Sequence, residues 1–221
     1  MRPAAATAVL GLALAVGAPT AWFMSRPEAT AGAPVEEALG TPAASSSPVP
    51  APTDPQRLPT LPARPAGPGE RETSPAPVRL SVPAHGVDSA VDPVGVEPDG
   101  QMTIPAEVDR VGWYRFGPAP GDDGSAVIAG HVDDREQGLG AMAPLRAASV
   151  GDEVLVTDAA GTTTTWRVTS REVIQKAVLP LDRLFAREGP PRLTMITCGG
   201  PFLPEYRSYR DNVVVVAEPV S

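Results

Sequence analysis

The chain changes character at Val78. From there on, short alternating or continuous apolar runs recur: VRLSV from Val78, VDPVGV from Val91, QMTIP from Gln101, SAVIAGHV from Ser125, EVLVTD from Glu153, TTTTWRVTSREVI from Thr162, RLTMIT from Arg192 and NVVVVAE from Asn212. Period-two alternation with many β-branched residues predicts strands, and the Gly, Pro and Asp between the runs predict the turns that separate them. DAAG, residues 158–161, reads as a hairpin connection. Only Met142–Ala147 and Leu181–Arg187 carry a helical pattern, and both are short. Eight short strands within the 144 residues from 78 to 221 predict one all-β domain, a barrel or a sandwich, with enough chain for a core.

Two segments of another kind come first. Ala4 to Met24 holds no charge, about 21 residues that would cover roughly 30 Å as a helix, and Arg2 precedes it. Its length and the Trp22–Phe23 pair at its end predict a retained membrane anchor over residues 1–26. The alternative is a secretory signal cleaved after Ala21, and on either reading the remainder is exported. Residues 27–77 are rich in Pro, Ala, Ser, Thr and Gly, with too few large apolar side chains to offset the entropy of ordering. They predict a disordered or semi-extended linker that reaches at most about 150 Å.

Composition narrows the chemistry. A net charge of −8 gives nucleic-acid binding no electrostatic support. Cys198 is the single cysteine, which excludes an intramolecular disulfide. With His85 and His131 the only histidines, neither a Cys₄ nor a Cys₂His₂ zinc set can form, and no other metal-ligand spacing is present. No metal and no cofactor are expected.

In RLTMITC, strand alternation puts Leu193, Met195 and Thr197 on one face and Thr194, Ile196 and Cys198 on the other. Cys198 ends the run, and Gly199 and Gly200 after it would let the backbone turn and leave room for a substrate. Position alone leaves two readings open, an apolar filler and a nucleophile. A nucleophile needs a base or a positive neighbour to form its thiolate. His131 is the better base candidate, because it stands where SAVIAGH passes from an apolar strand into a polar loop. His85, in VPAHGVD, reads as a loosely packed turn histidine. Arg210 stands before the last strand, 12 positions after Cys198, and could stabilise a thiolate or an oxyanion. Taken alone, an ion pair with Asp211 is its plainer reading, and Asp133 reads as a solvated loop acid or an orienter of His131.

Taken together, these residues carry a resemblance. TMITC fits the T-L-x-T-C signature of sortases, cysteine transpeptidases of the Gram-positive cell surface, with Met195 in place of Leu. GSAVIAGH, AGHVD, RVGWYRFGPAPG and SYRDNVVVVAEPV look closest to the actinobacterial group called class F. The resemblance spans nearly all of residues 78–221, and an anchor with a spacer suits it. Two features depart from the family pattern: the loop PFLPEYRSYRDN, and His85 where the family has an aliphatic residue.

The resemblance implies a closed eight-stranded β-barrel with one or two short helices, forming a catalytic domain over 78–221. It implies that Cys198 attacks the Thr–Gly bond of an LPxTG-type sorting signal, forming a thioacyl enzyme that an amine resolves. His131 would act as general acid and base, and Arg210 would stabilise the oxyanion and hold substrate. Thr197 would bind substrate or complete the oxyanion site. The implied partners are surface proteins with such C-terminal signals and an amine from a peptidoglycan precursor, met at the plasma membrane by an extracellular domain on an N-terminal anchor. The stretch 171–191 would wall the groove, with Val178, Leu179, Leu181 and Leu184 suited to a Leu-Pro ligand. A mainly hydrolytic exported cysteine peptidase and a non-catalytic wall-binding barrel are the alternatives. A papain-like site is disfavoured, because here the histidine precedes the cysteine.

Overall fold

A computed structural model describes residues 30–40 and 74–220. In chain order the elements are β1 (Thr30–Gly32), a one-turn helix α1 (Val35–Ala38), β2 (Pro77–Val82), β3 (Val87–Val94), β4 (Val111–Tyr114), β5 (Ser125–Gly130), β6 (Asp133–Asp134), β7 (Gly138–Leu139), β8 (Glu153–Asp158), β9 (Thr163–Gln175), a one-turn helix α2 (Leu181–Leu184), β10 (Arg192–Leu203) and β11 (Ser208–Pro219). Short 3₁₀ turns cover Pro83–His85, Ala143–Ala147 and Lys176–Val178.

Eight of the strands close on themselves in the order β9-β11-β10-β5-β4-β3-β2-β8, with β8 pairing back to β9. Closure removes the free edges that an open sheet would expose. Two neighbouring pairs are parallel, β3–β4 and β5–β10, and the remaining barrel pairs are antiparallel. Seven of the eight apolar runs became barrel strands. The eighth barrel strand is VGWY, β4, whose Val111 and Trp113 point into the core. QMTIP forms no strand: it ends in Pro105, which lacks the N–H a ladder needs, and only Met102 pairs, in a single bridge to Val96. The two helical stretches shrink to the 3₁₀ turn at Ala143–Ala147 and the single turn α2.

Alternation along β11 builds two cores. Val213, Val215 and Ala217 face inward, with Leu193 and Met195 of β10 and Trp166 of β9. Val214 and Val216 face out and would meet water if nothing covered them.

The cover comes from residues 30–40, part of the stretch expected to be disordered or semi-extended. Here β1 adds to the outer part of β9, from Thr30 opposite Glu172 to Gly32 opposite Ser170. Val35 and Ala38 then bury against Val214, Val216 and Leu184. The polar groups of this strap are matched too. Ser170 Oγ donates to the Ala33 carbonyl (2.6 Å), the Val35 N–H donates to Glu172 Oε2 (2.9 Å), and Arg192 Nε donates to the Ala38 carbonyl. Two well-placed apolar residues suffice because the outward face of β11 is already apolar, a pairing that local composition does not reveal. The anchor predicted for residues 1–26 and most of the linker lie outside the described residues. Among the described residues no helix is long and apolar enough to cross a membrane.

Candidate active site

Strand β10 runs between β5 and β11, and its register decides who meets Cys198. On the antiparallel side Cys198 stands opposite Asn212. On the parallel side Ile196 stands opposite Ala129, and continuing that register two residues sets His131 beside Cys198. Ile196 belongs to the outer apolar cluster, so alternation turns Cys198 outward as well. There a cavity of about 550 Å³ is lined by Cys198, His131, Asn212 and Thr197. Its apolar walls include Met102 and Ile104 from the β3–β4 loop and Leu179, Leu181 and Phe185 from the β9–β10 connection.

Four contacts hold the histidine side of the cavity. His131 Nε2 lies 3.0 Å from the Pro105 carbonyl. A carbonyl only accepts, so Nε2 carries a proton and the neutral ring keeps its free lone pair on Nδ1. Thr197, buried on the inward face, donates its hydroxyl to the Gly130 carbonyl at 2.9 Å. That bond ties the residue before Cys198 to the residue before His131, and it uses the only donor that a Thr197 side chain could offer an oxyanion. Gly140 backs the histidine so closely that a Cβ there would sit 2.3 Å from the His131 carbonyl oxygen. Beyond His131, Asp133 accepts from the Tyr209 hydroxyl rather than from the imidazole. Donation to that carboxylate, with some burial, pushes the Tyr209 phenol above its ordinary pKa, so it remains a donor.

Arg210 shares the outward alternation of Asn212 but does not line the cavity. Its Nε and Nη2 donate to the two oxygens of Asp211 at 2.7 and 2.9 Å. Those bonds hold the Asp211 carboxyl below its ordinary range, against a smaller opposing effect of burial. Gly200 makes room for the pair: it has φ +70°, and a Cβ on it would lie 2.0 Å from Asp211 Oδ2. The second glycine after the thiol therefore serves a neighbouring carboxylate, beyond the turn and clearance expected of it. Two N–H groups on Nη1 and one on Nη2 of Arg210 stay available.

Of the four apolar residues foreseen for the groove, Leu179 and Leu181 line the cavity. Val178 is exposed, and Leu184 is buried against the strap. His85 is far from loose: its Nε2 pairs with Asp152 at 2.6 Å, outside the cavity. Three polar lining residues were not assigned to the site from the sequence, Gln101, Lys176 and Asn212. Lys176 is the sole lysine of the chain, and its Nζ donates to Ser208 Oγ at 2.8 Å. Asn212 had a signal, since it lies two positions after Arg210 and so shares its face. Among the described residues, no group of three His, Cys, Asp or Glu side chains is arranged to hold a metal ion.

A thiol and an imidazole on adjacent strand ends of a closed barrel, opening on an apolar groove, define a class of extended-ligand cysteine sites. A family model described as a sortase domain matches residues 80–220, and the chain belongs to the sortase family of cysteine transpeptidases. Solved structures share the fold. Sortase C-1 from Actinomyces oris is 19% identical, with a TM-score of 0.51, covering 65% of this chain and 73% of its own. Sortase A from Listeria monocytogenes is 22% identical, with a TM-score of 0.50, covering 66% of this chain and 88% of its own. No curated protein matches the chain.

Proposed function

We propose that this sortase is of the class F type and cleaves an LPxTG-like sorting signal between Thr and Gly, passing the acyl group to an amine. The observation that carries the reading is the register that brackets Cys198 between His131 and Asn212 at the floor of the cavity. Cys198 gives its proton to His131 and its sulfur attacks the threonine carbonyl. The tetrahedral adduct collapses to a thioester as the departing glycine amine takes the proton from His131. An incoming amine then reverses these steps. Nδ1 of His131 is the nitrogen free to shuttle the proton. Arg210, oriented by Asp211, uses its remaining N–H groups on the peptide backbone or the oxyanion. Thr197 acts as a positioning residue through Gly130. Leu179, Leu181 and Phe185 offer the apolar surface that a Leu-Pro pair would cover.

In the same reading the partners are surface proteins bearing such a C-terminal signal. The acceptor is an amine of a peptidoglycan precursor, and residues 1–26 anchor an extracellular enzyme in the plasma membrane. The full chain mixed with an LPxTG peptide should release the glycine fragment and, with a primary amine added, yield the ligated peptide by mass spectrometry. Cys198→Ala should abolish both products, and His131→Ala should lower the rate about 10²- to 10⁴-fold. Cleavage that survives Cys198→Ala would sink the mechanism. Cleavage with only water as acceptor across a panel of amines would favour the hydrolytic peptidase.

A further inference from the structure

Beside His131, a second polar side chain stands next to the reacting thiol, Asn212. It is the direct cross-strand partner of Cys198. Directly opposed residues of an antiparallel pair carry their Cβ atoms about 4.5–5.5 Å apart on the same face. Arg210 lies two residues along β11, roughly 7 Å further from that position, opposite the irregularity between Gly199 and Phe202. Its guanidinium is bound to Asp211, so the pair as a unit carries no net charge. The Asn212 amide, by contrast, has no hydrogen-bond partner among the described residues and lines the cavity with Cys198 and His131. A half-buried amide with no protein partner, at the edge of a mainly apolar groove, is free to donate to a ligand oxygen.

We propose that Asn212 is a catalytic residue of this sortase, donating Nδ2–H to the oxyanion of the tetrahedral adduct. The inference rests on the acyl-transfer reading given above and assigns to Asn212 a role that the sequence analysis gave to Arg210 and Thr197. As the Cys198 sulfur bonds the carbonyl carbon, the π pair moves to oxygen, where the amide proton meets it. Collapse returns that pair to the carbonyl, breaks the C–N bond, and the amine leaves with the proton held by His131. A neutral donor in an apolar setting acts chiefly when charge develops on oxygen, which directs its effect to the transition state. Arg210 then grips the substrate backbone nearer the cavity mouth.

The test compares the full chain with Asn212→Ala and Asn212→Asp in three reactions: acylation by an LPxTG peptide, acylation by p-nitrophenyl acetate, and alkylation by iodoacetamide. Both acylations pass through an oxyanion. Alkylation displaces iodide and forms none. Asn212→Ala should slow both acylations about 10²- to 10³-fold at little changed KM, while iodoacetamide alkylates Cys198 within threefold of the wild-type rate. Asn212→Asp should also move the pH midpoint of alkylation upward, because a carboxylate would then face the thiolate. Acylation by Asn212→Ala within threefold of wild type would overturn the proposal. A parallel fall in acylation and alkylation would overturn it too, by showing that Asn212 only shapes the site. If the wild-type chain ignores the peptide, the substrate reading fails, and the ester reaction still decides the role of Asn212.

Discussion

Asp211 is buried beneath Gly200, and both of its oxygens accept hydrogen bonds from Arg210. Because its folded pKa is depressed, the carboxylate contributes stability that is fully present above the unfolded value, about 3.9, and lost as pH falls through the lower folded value. The gap in melting temperature between wild type and Asp211→Asn should therefore stay constant from pH 7 to about pH 5 and shrink at more acid pH. A gap that does not change down to pH 2.5 would mean the pair contributes nothing through its charge. Gly200→Ala tests the same arrangement from the other strand. A side chain at φ +70° costs about 1–3 kcal/mol, and it would also displace the carboxylate. Thermal unfolding should show the destabilisation, with turnover falling alongside. Asn at position 200 tolerates the backbone angle and still should not rescue turnover, because the clash with Asp211 persists.

At the scale of elements, the strap over β9 and β11 is the least expected part. Its Val35 and Ala38 share a buried cluster with Leu184, Val214 and Val216, against which Leu179 and Phe185 pack, and those last two also line the cavity. The strap thus buttresses the groove wall from behind. Val35→Asp puts a carboxylate where a fully buried side chain sits, removing about 1.5–3 kcal/mol of apolar burial. Peptide kinetics should show KM rising several-fold with kcat less affected, because the wall loosens while the register of Cys198 and His131 is untouched. A fall in kcat at unchanged KM would place the strap's influence in the chemistry instead.

Legibility followed the same division. Continuous apolar runs revealed β5, β10 and β11 because both faces of their central residues are largely buried. The strand VGWY escaped notice because Gly112 interrupts its alternation, and QMTIP mimicked a strand because Met102 and Ile104 serve the cavity. That Cys198 and His131 would share one end of the barrel was suggested by residue type and setting. The bond from Thr197 to Gly130 and the place of Asn212 opposite Cys198 were not legible, since both depend on which strand lies on each side of β10, and no run of residues states its neighbours.

For the whole molecule, closure of the barrel gives Cys198 a rigid floor, and the strap joins that floor to the chain that leads toward the N-terminus. The parallel β5–β10 pair brings together residues 67 apart, as in the Thr197–Gly130 bond. Such long-range pairing slows folding, because loop-closure entropy is lost before the contacts form.

The strap also decides where a pull is felt. Traction on the chain ahead of Thr30 reaches the three paired residues of β1 before it reaches the barrel. In single-molecule stretching from the N-terminus, β1 and α1 should peel away first. The barrel should yield only in a later, larger step. Between the two steps the groove would have lost its backing while keeping its thiol, so tension would weaken substrate capture before it touched the chemistry.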